Sequence, residues 1–436
     1  MRNKKSALVI LNICIYCALL CFPLVANAKD MYISASTYDY APLAKKITVN
    51  ASTKKQKARA IYDWVCSNIA YDTNYKIYTA DECIRNRKGV CQAYCELYYR
   101  LCEAVGVKCT IISGKCKNNI YGIISDGGHA WICAEVEDGN ILIDPTWGAG
   151  SVKGRTFSFR KDHSVYFQVD PYKFIFTHFP NDKKFQLLDN PIDYNTFASL
   201  PPMPIECIYL NLNAKDIFCK SLKKEIKSFP LFYSIEKEQA LQLIKFPMQE
   251  VLNPATTYRF EVKNPNNIKF CIFANGKCFD DYLWQKSGNT YWIDIMPEGG
   301  DELSISTKYK GEDSYSTLVS YQVSQPTQSE MQYINTHKSP TYYRAYEEFG
   351  KLINIINIPK YDNLKASETY RFEIDNPRHL QIAIIVNNTW YKSSTWQRSG
   401  SRYWIDIKPS EKGELRLSIQ KEKNKPFNSI IGYTIN

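Results

Sequence analysis

Three residues whose side chains could together perform nucleophilic catalysis lie in one region of the chain: Cys91, His129 and Asp144. A thiol is nucleophilic as its thiolate, an imidazole can accept and return a proton, and a carboxylate can hold the imidazole in one tautomer and orientation. Attack by such a thiolate on an amide carbonyl would form a thioester. These residue types therefore point to acyl transfer or hydrolysis at an amide.

The first of these residues, Cys91, follows Gly89-Val90 and begins a predicted helix. One apolar stripe at helical spacing contains Tyr94, Cys95, Tyr98, Leu101, Cys102 and Val105. Gly106 then provides a stop signal. The unpaired amides and the dipole of a helix N-terminus stabilise a thiolate. On position alone, a packing role like that of Cys95 is the alternative interpretation of Cys91.

The other two residues lie in a predicted β-hairpin. Strand-like residues 129–136 and 141–144 flank the turn residues Glu137-Asp138-Gly139-Asn140. If Asp138-Gly139 is a two-residue turn, His129 and Asp144 share one face of the sheet. They would then lie four residues apart along the ladder, about 13 Å in a flat sheet. We expect a bulge, a curl or a different turn to bring them together.

The C-terminal part of the chain contains an internal repeat with an offset of 112 residues. The string Tyr-Arg-Phe-Glu, for example, begins at Tyr258 and again at Tyr370. Short β-branched and aromatic runs alternate with Asn-Pro, Asn-Gly and Ser-Gly, which predicts antiparallel strands joined by turns. We therefore expect two all-β, immunoglobulin-like sandwich modules, over residues 191–325 and 326–436.

The repeated Trp and Tyr residues of these modules have two interpretations. They could form a carbohydrate- or peptide-binding surface, but alternating strand positions favour a role in the sandwich core. Cys271 and Cys278 of the first copy correspond to Ala383 and Trp390 of the second. A disulfide at this place is therefore not essential to the module.

The first 28 residues read as an export signal. Positive charges near Met1 precede an apolar run over residues 7–25, and Ala26-Asn27-Ala28 is a small-x-small cleavage pattern. We expect residues 1–28 to be a cleaved signal peptide, residues 29–50 to be a lead segment, and the protein to be periplasmic, cell-surface or extracellular.

Charge and motif composition argue against nucleic-acid binding and against a zinc site. Loss of three basic leader residues would lower the net charge from +11 to +8, and the lysines are interleaved with acidic residues. This favours a solvated surface over nucleic-acid binding. Residues 29–436 contain no Cys-x-x-Cys or His-Glu-x-x-His motif, so we predict no metal site and no cofactor.

Three blocks of sequence together resemble the signature of the transglutaminase-like superfamily. They are Gly89-Val90-Cys91-Gln92-Ala93-Tyr94, Gly128-His129-Ala130-Trp131 and Asp144-Pro145-Thr146-Trp147. The resemblance implies a papain-like α+β fold over residues 51–190, with a cysteine helix packed against an antiparallel sheet. It also implies that Cys91 is the nucleophile, His129 the general base and acid, and Asp144 its orienting group.

A further resemblance concerns the end of this core. Thr177-His178-Phe179-Pro180 and Phe185-Gln186-Leu187-Leu188 are similar to the kyphoscoliosis-peptidase-like branch, which also carries β-rich modules downstream. We interpret His178 itself as structural, together with His163, His337 and His379.

The expected function is that of an exported peptidase or amidase acting on a protein or peptide through a Cys91 thioester. Three alternatives stay open: a protein cross-linking transglutaminase, a cell-wall peptide amidase, and a catalytically silent envelope scaffold or binding protein. Tyr71, Gln92 and Trp131 are the candidate substrate-binding residues. The β-modules are expected to contact an envelope or wall component.

Overall fold

The computed structural model of the protein describes residues 33–233, 241–280, 283–300, 302–343, 345–349, 352–391 and 395–436. The expected signal peptide, residues 1–28, lies outside these ranges. The chain divides into two compact units, Met1–Phe229 and Pro230–Asn436. Within the described ranges, no helix has the length and apolar character needed to cross a membrane.

The first unit combines helices with a mainly antiparallel sheet. Its helices are α1 (Ala41–Ile47), α2 (Lys54–Asn68), α3 (Ala80–Asn86), α4 (Cys91–Glu103), α5 (Pro145–Ala149), α6 (Pro171–Phe174), α7 (Tyr194–Ser199), α8 (Ile205–Tyr209) and α9 (Ala214–Leu222). Its strands are β1 (Ala70–Tyr71), β2 (Lys88–Gly89), β3 (Cys109–Cys116), β4 (His129–Val136), β5 (Gly139–Ile143), β6 (Gly150–Lys153), β7 (Thr156–Phe159), β8 (Phe167–Val169) and β9 (His178–Pro180).

The central sheet of this unit has the strand order β8-β5-β4-β3-β9, and all its pairings are antiparallel. Helix α4 packs against β3 and β4 and against α2 and α5. Its apolar stripe is buried from Tyr94 to Cys102, and these residues form one continuous core with α2, against which half-buried Val105 packs. The α+β, papain-like core predicted for this region is confirmed.

Local capping explains where two of these helices begin. Thr53 accepts a hydrogen bond from the backbone of Gln56, whose side chain accepts one from the backbone of Thr53. Thr79 and Glu82 form the same reciprocal arrangement before α3. Each pair satisfies amides that a helix N-terminus otherwise leaves without a partner.

The first unit extends beyond the expected boundary at residue 190, because α7, α8 and α9 belong to it. Lys117 is buried, and its Nζ donates to the carbonyls of Phe197 and, at 2.9 Å, Leu200 at the end of α7. Lys173 Nζ donates in the same way to Leu210 O, 2.6 Å away, after α8. Two buried ammonium groups thus anchor this helical segment to the core.

The second unit is built almost entirely from strands. Its strands are β10 (Leu231–Phe232), β11 (Gln242–Lys245), β12 (Val251–Leu252), β13 (Tyr258–Lys263), β14 (Lys269–Ala274), β15 (Lys277–Asp280), β16 (Gln285–Ser287), β17 (Thr290–Ile295), β18 (Glu302–Lys308), β19 (Ser316–Val323), β20 (Thr341–Tyr342), β21 (Asn354–Asn357), β22 (Asn363–Leu364), β23 (Tyr370–Asp375), β24 (Gln381–Val386), β25 (Thr389–Trp390), β26 (Gln397–Ser399), β27 (Arg402–Ile407), β28 (Gly413–Gln420) and β29 (Asn428–Ile435). Its helices are α10 (Gln328–Thr336) and α11 (Ala345–Phe349).

The predicted repeat is present as two sheet pairs of the same topology. The first copy has the orders β10-β19-β18-β14-β15 and β11-β13-β17-β16, and the second has β20-β29-β28-β24-β25 and β21-β23-β27-β26. The bulge after Leu243 recurs after Ile355, its equivalent in the repeat. The prediction of two all-β sandwich modules is confirmed.

The repeated aromatic residues divide between the core and the outer faces. Trp284 and Tyr291 are buried and contact the ring of Phe270, which links the two sheets of the first module. Trp292 and Trp404 are only half-buried, and their indole nitrogens donate to neighbouring glutamines. The expected core role therefore holds for some of these residues and not for all.

Candidate active site

Cys91 is the first residue of α4 and is half-buried. The chain leading to it is fixed on both sides: Tyr71 pairs with Gly89 between the short parallel strands β1 and β2, and Val90 N donates to Ile77 O at 3.0 Å. The thiol therefore lies at a helix N-terminus, as the sequence predicts.

The β4–β5 hairpin places His129 and Asp144 closer together than expected. Val136 pairs with Gly139, so the turn residues are Glu137 and Asp138, one position earlier than predicted. This register shortens the offset between His129 and Asp144 along the ladder from four residues to two. His129 Nε2 donates to Asp144 Oδ2 at 2.7 Å, so the two residues do meet.

Asp144 is fully buried and is held by donors on both carboxylate oxygens. Its Oδ1 accepts hydrogen bonds from the backbone amides of Thr146 and Trp147, at 2.8 and 2.9 Å, which makes Asp144 the N-cap of α5. Its Oδ2 faces His129. Burial alone would raise the pKa of Asp144, but the charge and hydrogen bond of His129 hold it below its ordinary value.

The thiol of Cys91 and the imidazole of His129 each favour the charged form of the other. Burial opposes a charged Cys91, yet the hydrogen bond and charge of His129, together with a hydrogen bond from the backbone of Ala130, lower its pKa. Burial likewise opposes a charged His129, but Asp144 and Cys91 raise its pKa well above the ordinary value. Both shifts favour a thiolate–imidazolium pair.

The orientation of the imidazole follows from these contacts. Because Nε2 of His129 is occupied by Asp144, Nδ1 is the nitrogen left for the sulfur of Cys91. A proton on each nitrogen is what an imidazolium between two anions requires. The arrangement has the order of groups, thiol, imidazole and carboxylate, that a cysteine nucleophile would require.

The structure adds one residue that sequence reasoning missed, His178, which was expected to be structural. Its Nε2 lies 3.0 Å from the same Asp144 Oδ2, and its Nδ1 lies 2.7 Å from Thr177 Oγ1. Its ring stacks on Phe174 with centroids 3.9 Å apart. The only sequence feature that marks this residue is the Thr177–Pro180 block.

Burial fixes the protonation state of His178. Removal from water lowers its pKa to about 4, although the charge of Asp144 opposes the shift. The neutral ring must then carry its proton on Nε2 to donate to Asp144, while Nδ1 accepts from the hydroxyl of Thr177. Asp144 therefore receives one hydrogen bond from a charged imidazole and one from a neutral imidazole.

The three candidate substrate-binding residues lie in different surroundings. Trp131 is completely buried and contacts the rings of His129 and His178, with centroids 6.1 and 5.1 Å away. It therefore packs against the two imidazole rings inside the core, which does not support a direct substrate contact. Tyr71 and Gln92 are half-buried beside the start of α4.

The packing of Trp131 depends on a glycine in the neighbouring strand. A Cβ atom at Gly114 would lie 2.4 Å from Trp131 Cη2 and 2.1 Å from Phe179 O. Only glycine lets the indole and the β9 backbone approach this closely. Since His178 begins β9, Gly114 contributes indirectly to the position of the second imidazole.

His129, Asp144 and His178 have the residue types and spacing of a metal site. However, both nitrogens that face the carboxylate are already hydrogen-bonded to it. All three side chains are also buried. We therefore interpret the group as a buried hydrogen-bonded network.

Comparisons with known proteins bear on the fold of the first unit. Residues 41–145 match the family model of the transglutaminase-like superfamily. The chain is 31% identical over 183 residues to human kyphoscoliosis peptidase, covering 39% of this chain and 28% of that protein. It is 25% identical over 288 residues to hillarin from Drosophila melanogaster, covering 56% of this chain and 35% of hillarin.

Among solved structures, a transglutaminase crystal structure shares 17% identity and covers 28% of this chain and 33% of its own, with a TM-score of 0.22. That likeness is too weak to support a functional argument. The chain also spans only 25% of the length of mouse kyphoscoliosis peptidase. Residues 41–145 nevertheless form a transglutaminase-like domain, in a chain that has kyphoscoliosis peptidases among its relatives and all-β modules towards its C-terminus.

Proposed function

We propose that the first unit is a cysteine peptidase or amidase that cleaves an amide bond through a thioester on Cys91. The observation that carries the proposal is the hydrogen-bonded series from half-buried Cys91 through buried His129 to buried Asp144. The name of the kyphoscoliosis peptidases supports hydrolysis as the reaction class.

Acylation begins with the thiolate of Cys91. The sulfur attacks the amide carbonyl carbon, and the carbonyl π electrons move to oxygen to form a tetrahedral oxyanion. When the C–N bond breaks, the imidazolium of His129 donates its Nδ1 proton to the leaving nitrogen, and a thioester remains on Cys91. The amide of Cys91, at the N-terminus of α4, is a candidate donor to the oxyanion.

Deacylation reverses these roles. The neutral His129 takes a proton from water, the hydroxide oxygen attacks the thioester carbon, and Cys91 leaves as a thiolate beside the reformed imidazolium. A lysine amine in place of water would instead form an isopeptide bond and make the protein a cross-linking enzyme. We propose hydrolysis as the reaction because kyphoscoliosis peptidases are among the relatives of this chain.

Asp144 and His178 act as positioning residues in this mechanism. Asp144 keeps His129 in one orientation and stabilises its positive charge. His178 donates a second hydrogen bond to Asp144 Oδ2 and fixes that oxygen without adding a positive charge. The carboxylate therefore stays anionic and aligned while the proton moves between His129 and the substrate.

We also propose that the protein is exported and that its β-modules bind an envelope or wall component. The leader-like composition of residues 1–28 supports export. Half-buried Trp292 and Trp404 on equivalent strands of the two modules give each module a partly exposed aromatic side chain for such contacts.

The proposed function is tested by incubating the full chain with a protein substrate and with muropeptides in H₂¹⁸O, followed by mass spectrometry. We expect cleaved amides with ¹⁸O in the new carboxylate, and no cleavage by Cys91→Ala or His129→Gln. Loss of ammonia with formation of a cross-link would identify a transglutaminase. Unchanged substrates would favour a silent scaffold and contradict the proposal.

A thiol-reactive peptide-amide probe gives a second test that needs no natural substrate. It should label Cys91 in the wild type and not in His129→Gln. Cys219→Ser is the matched control, because Cys219 is an exposed cysteine of the same unit outside the site. Equal labelling of Cys91 with and without His129 would refute the triad.

A further inference from the structure

The β14–β15 hairpin of the first β-module carries a cluster of two thiols and a carboxylate. Cys271 pairs directly with Asp280, and Cys278 lies two residues before Asp280 on the same strand. Residues at these positions project from one face of a sheet. A sulfur of Cys271, a sulfur of Cys278 and an oxygen of Asp280 all lie within 4.8 Å of one another.

The carboxylate of this cluster is oriented by a neighbouring strand. Tyr315, just before β19, donates from its hydroxyl to Asp280 Oδ1 at 2.8 Å. Cys278 Sγ donates to the same oxygen at 3.3 Å. Cys271 is buried, whereas Cys278 and Asp280 are half-buried. The cluster is therefore partly exposed to solvent at Cys278 and Asp280.

The second β-module shows that the fold does not need this cluster. At the four equivalent positions the sequence has Ala383, Trp390, Lys392 and Phe427. Trp390 and Phe427 fill the place with an edge-on aromatic pair, centroids 4.7 Å apart. The strand pairing of β24 with β28 matches that of β14 with β18. The second module thus lacks both cysteines, the aspartate and the tyrosine, and still forms the same strand pairing.

We propose that Cys271, Cys278 and Asp280 bind a thiophilic divalent cation, with Zn²⁺ as the expected ion. Two thiolates and one carboxylate are a ligand set that zinc accepts, and water would complete a tetrahedron. Binding would displace the two thiol protons to solvent, with no change of oxidation state. Tyr315 would orient the carboxylate from outside the coordination sphere.

This site is independent of the proposed amide cleavage, because it lies in the second unit. It also revises the expectation that the chain has no metal site. The two cysteines are separated by six residues instead of the two of a familiar zinc motif. Only the cross-strand register of the hairpin brings the three ligand groups together.

The test uses the reduced, metal-free full chain carrying Cys91→Ser, which removes the active-site thiol. Zn²⁺ is titrated by native mass spectrometry, and Co²⁺ is titrated while its thiolate charge-transfer absorption is recorded. We expect one ion per chain in the parent protein. Cys271→Ala and Cys278→Ser should lose the bound ion and the absorption. Tyr315→Phe should weaken affinity by about 10-fold, as removal of an outer hydrogen bond typically does.

Matched controls separate loss of the site from loss of the fold. Cys271→Ala and Tyr315→Phe introduce the residue types that the second module has at these places, so both variants should keep the wild-type circular dichroism spectrum. Cys219→Ser removes an exposed thiol of the first unit and should bind one ion. Unchanged ion binding in Cys278→Ser would overturn the proposal. A Cys271–Cys278 disulfide in the protein as isolated, without bound metal, would overturn it equally.

Discussion

Replacement of His178 by phenylalanine should change how the stability of the first unit depends on pH. Phenylalanine preserves a planar ring, so the stack on Phe174 and the contact with Trp131 can remain. It removes the donor to Asp144 and the acceptor for Thr177. The hydroxyl of Thr177 can instead donate to Phe174 O, 3.2 Å away.

The size of the pH effect follows from the pKa of His178. Burial lowers that pKa from an ordinary value of 6.5 to about 4 in the folded chain. Between these two values the unfolded chain binds more protons than the folded chain, so the free energy of unfolding decreases as pH falls. For this residue the loss between pH 7 and pH 4.5 is about 2 kcal/mol.

The variant therefore differs from the wild type in two ways. At pH 7 it should be less stable by about 1.5–3 kcal/mol, because a buried hydrogen bond to a charged group is lost. At pH 4.5 the difference in free energy of unfolding between the wild type and the variant should be smaller by about 2 kcal/mol. The reason is that the variant has no His178 whose protonation opposes folding. Contributions from His129 and from the carboxylates are present in both proteins and largely cancel in the comparison.

Hydrogen exchange of the β4 amides (His129–Val136) in increasing urea, read by mass spectrometry, reports unfolding of the first unit alone. The measurement is made at pH 7 and pH 4.5 and corrected for intrinsic exchange rates. His163→Phe controls for replacement of a histidine that contacts Ser67 and Gly148 instead of Asp144. The same stability gap at both pH values would refute the assignment of a neutral, buried His178.

Three further substitutions test other parts of the structure. Lys117→Met should destabilise the first unit by about 1–3 kcal/mol, because buried carbonyls lose their donor. It should also increase hydrogen exchange in α7 (Tyr194–Ser199), whose carbonyls Lys117 contacts. Unchanged exchange in α7 would contradict the anchoring role. Gly114→Ala should cost about 1–3 kcal/mol in urea unfolding, because its Cβ would lie 2.1 Å from Phe179 O and 2.4 Å from Trp131 Cη2; a neutral effect would contradict the requirement for glycine at this position. Asp144→Asn keeps a carbonyl oxygen for the α5 cap but removes the charge beside the imidazole, and should slow probe labelling by up to about 10⁴-fold; wild-type labelling would exclude an orienting role.

Much of the site could be predicted from local sequence patterns. The apolar stripe and the preceding Gly89-Val90 located the start of α4 at Cys91, where the structure has it. Alternation in the β4–β5 hairpin correctly placed the side chains of His129 and Asp144 on one face. Both inferences depend on residues that are neighbours in sequence, which is where periodicity is informative.

The register of the β4–β5 hairpin could not be predicted from local sequence, because its turn contacts residues that are far away in the chain. The carboxylate of Glu137 accepts hydrogen bonds from the amides of Lys54 and Lys55, at 2.6 and 3.2 Å, at the N-terminus of α2. Glu137 therefore lies in the turn, and Gly139 becomes the first strand residue with a φ of +112°. Local turn preferences alone favoured Asp138-Gly139 in the turn.

His178 was missed for a related reason. It lies 34 residues from Asp144 in sequence, and their contact depends on the pairing of β9 with β3. No spacing rule links two such residues. The proposed cation ligands of the first β-module likewise could not be identified from the sequence, because they come together only through the register of β14 and β15.

The most direct test of the central claim is the pH dependence of Cys91 alkylation by iodoacetamide, read separately for each cysteine by mass spectrometry. In the wild type, we expect rapid alkylation at pH values below the ordinary thiol pKa of 9.0, because His129 stabilises the thiolate. In His129→Gln, burial remains and the cation is gone, so the inflection should move to pH 9.0 or higher. Superimposable profiles for the two proteins would contradict a thiolate–imidazolium pair at Cys91 and His129.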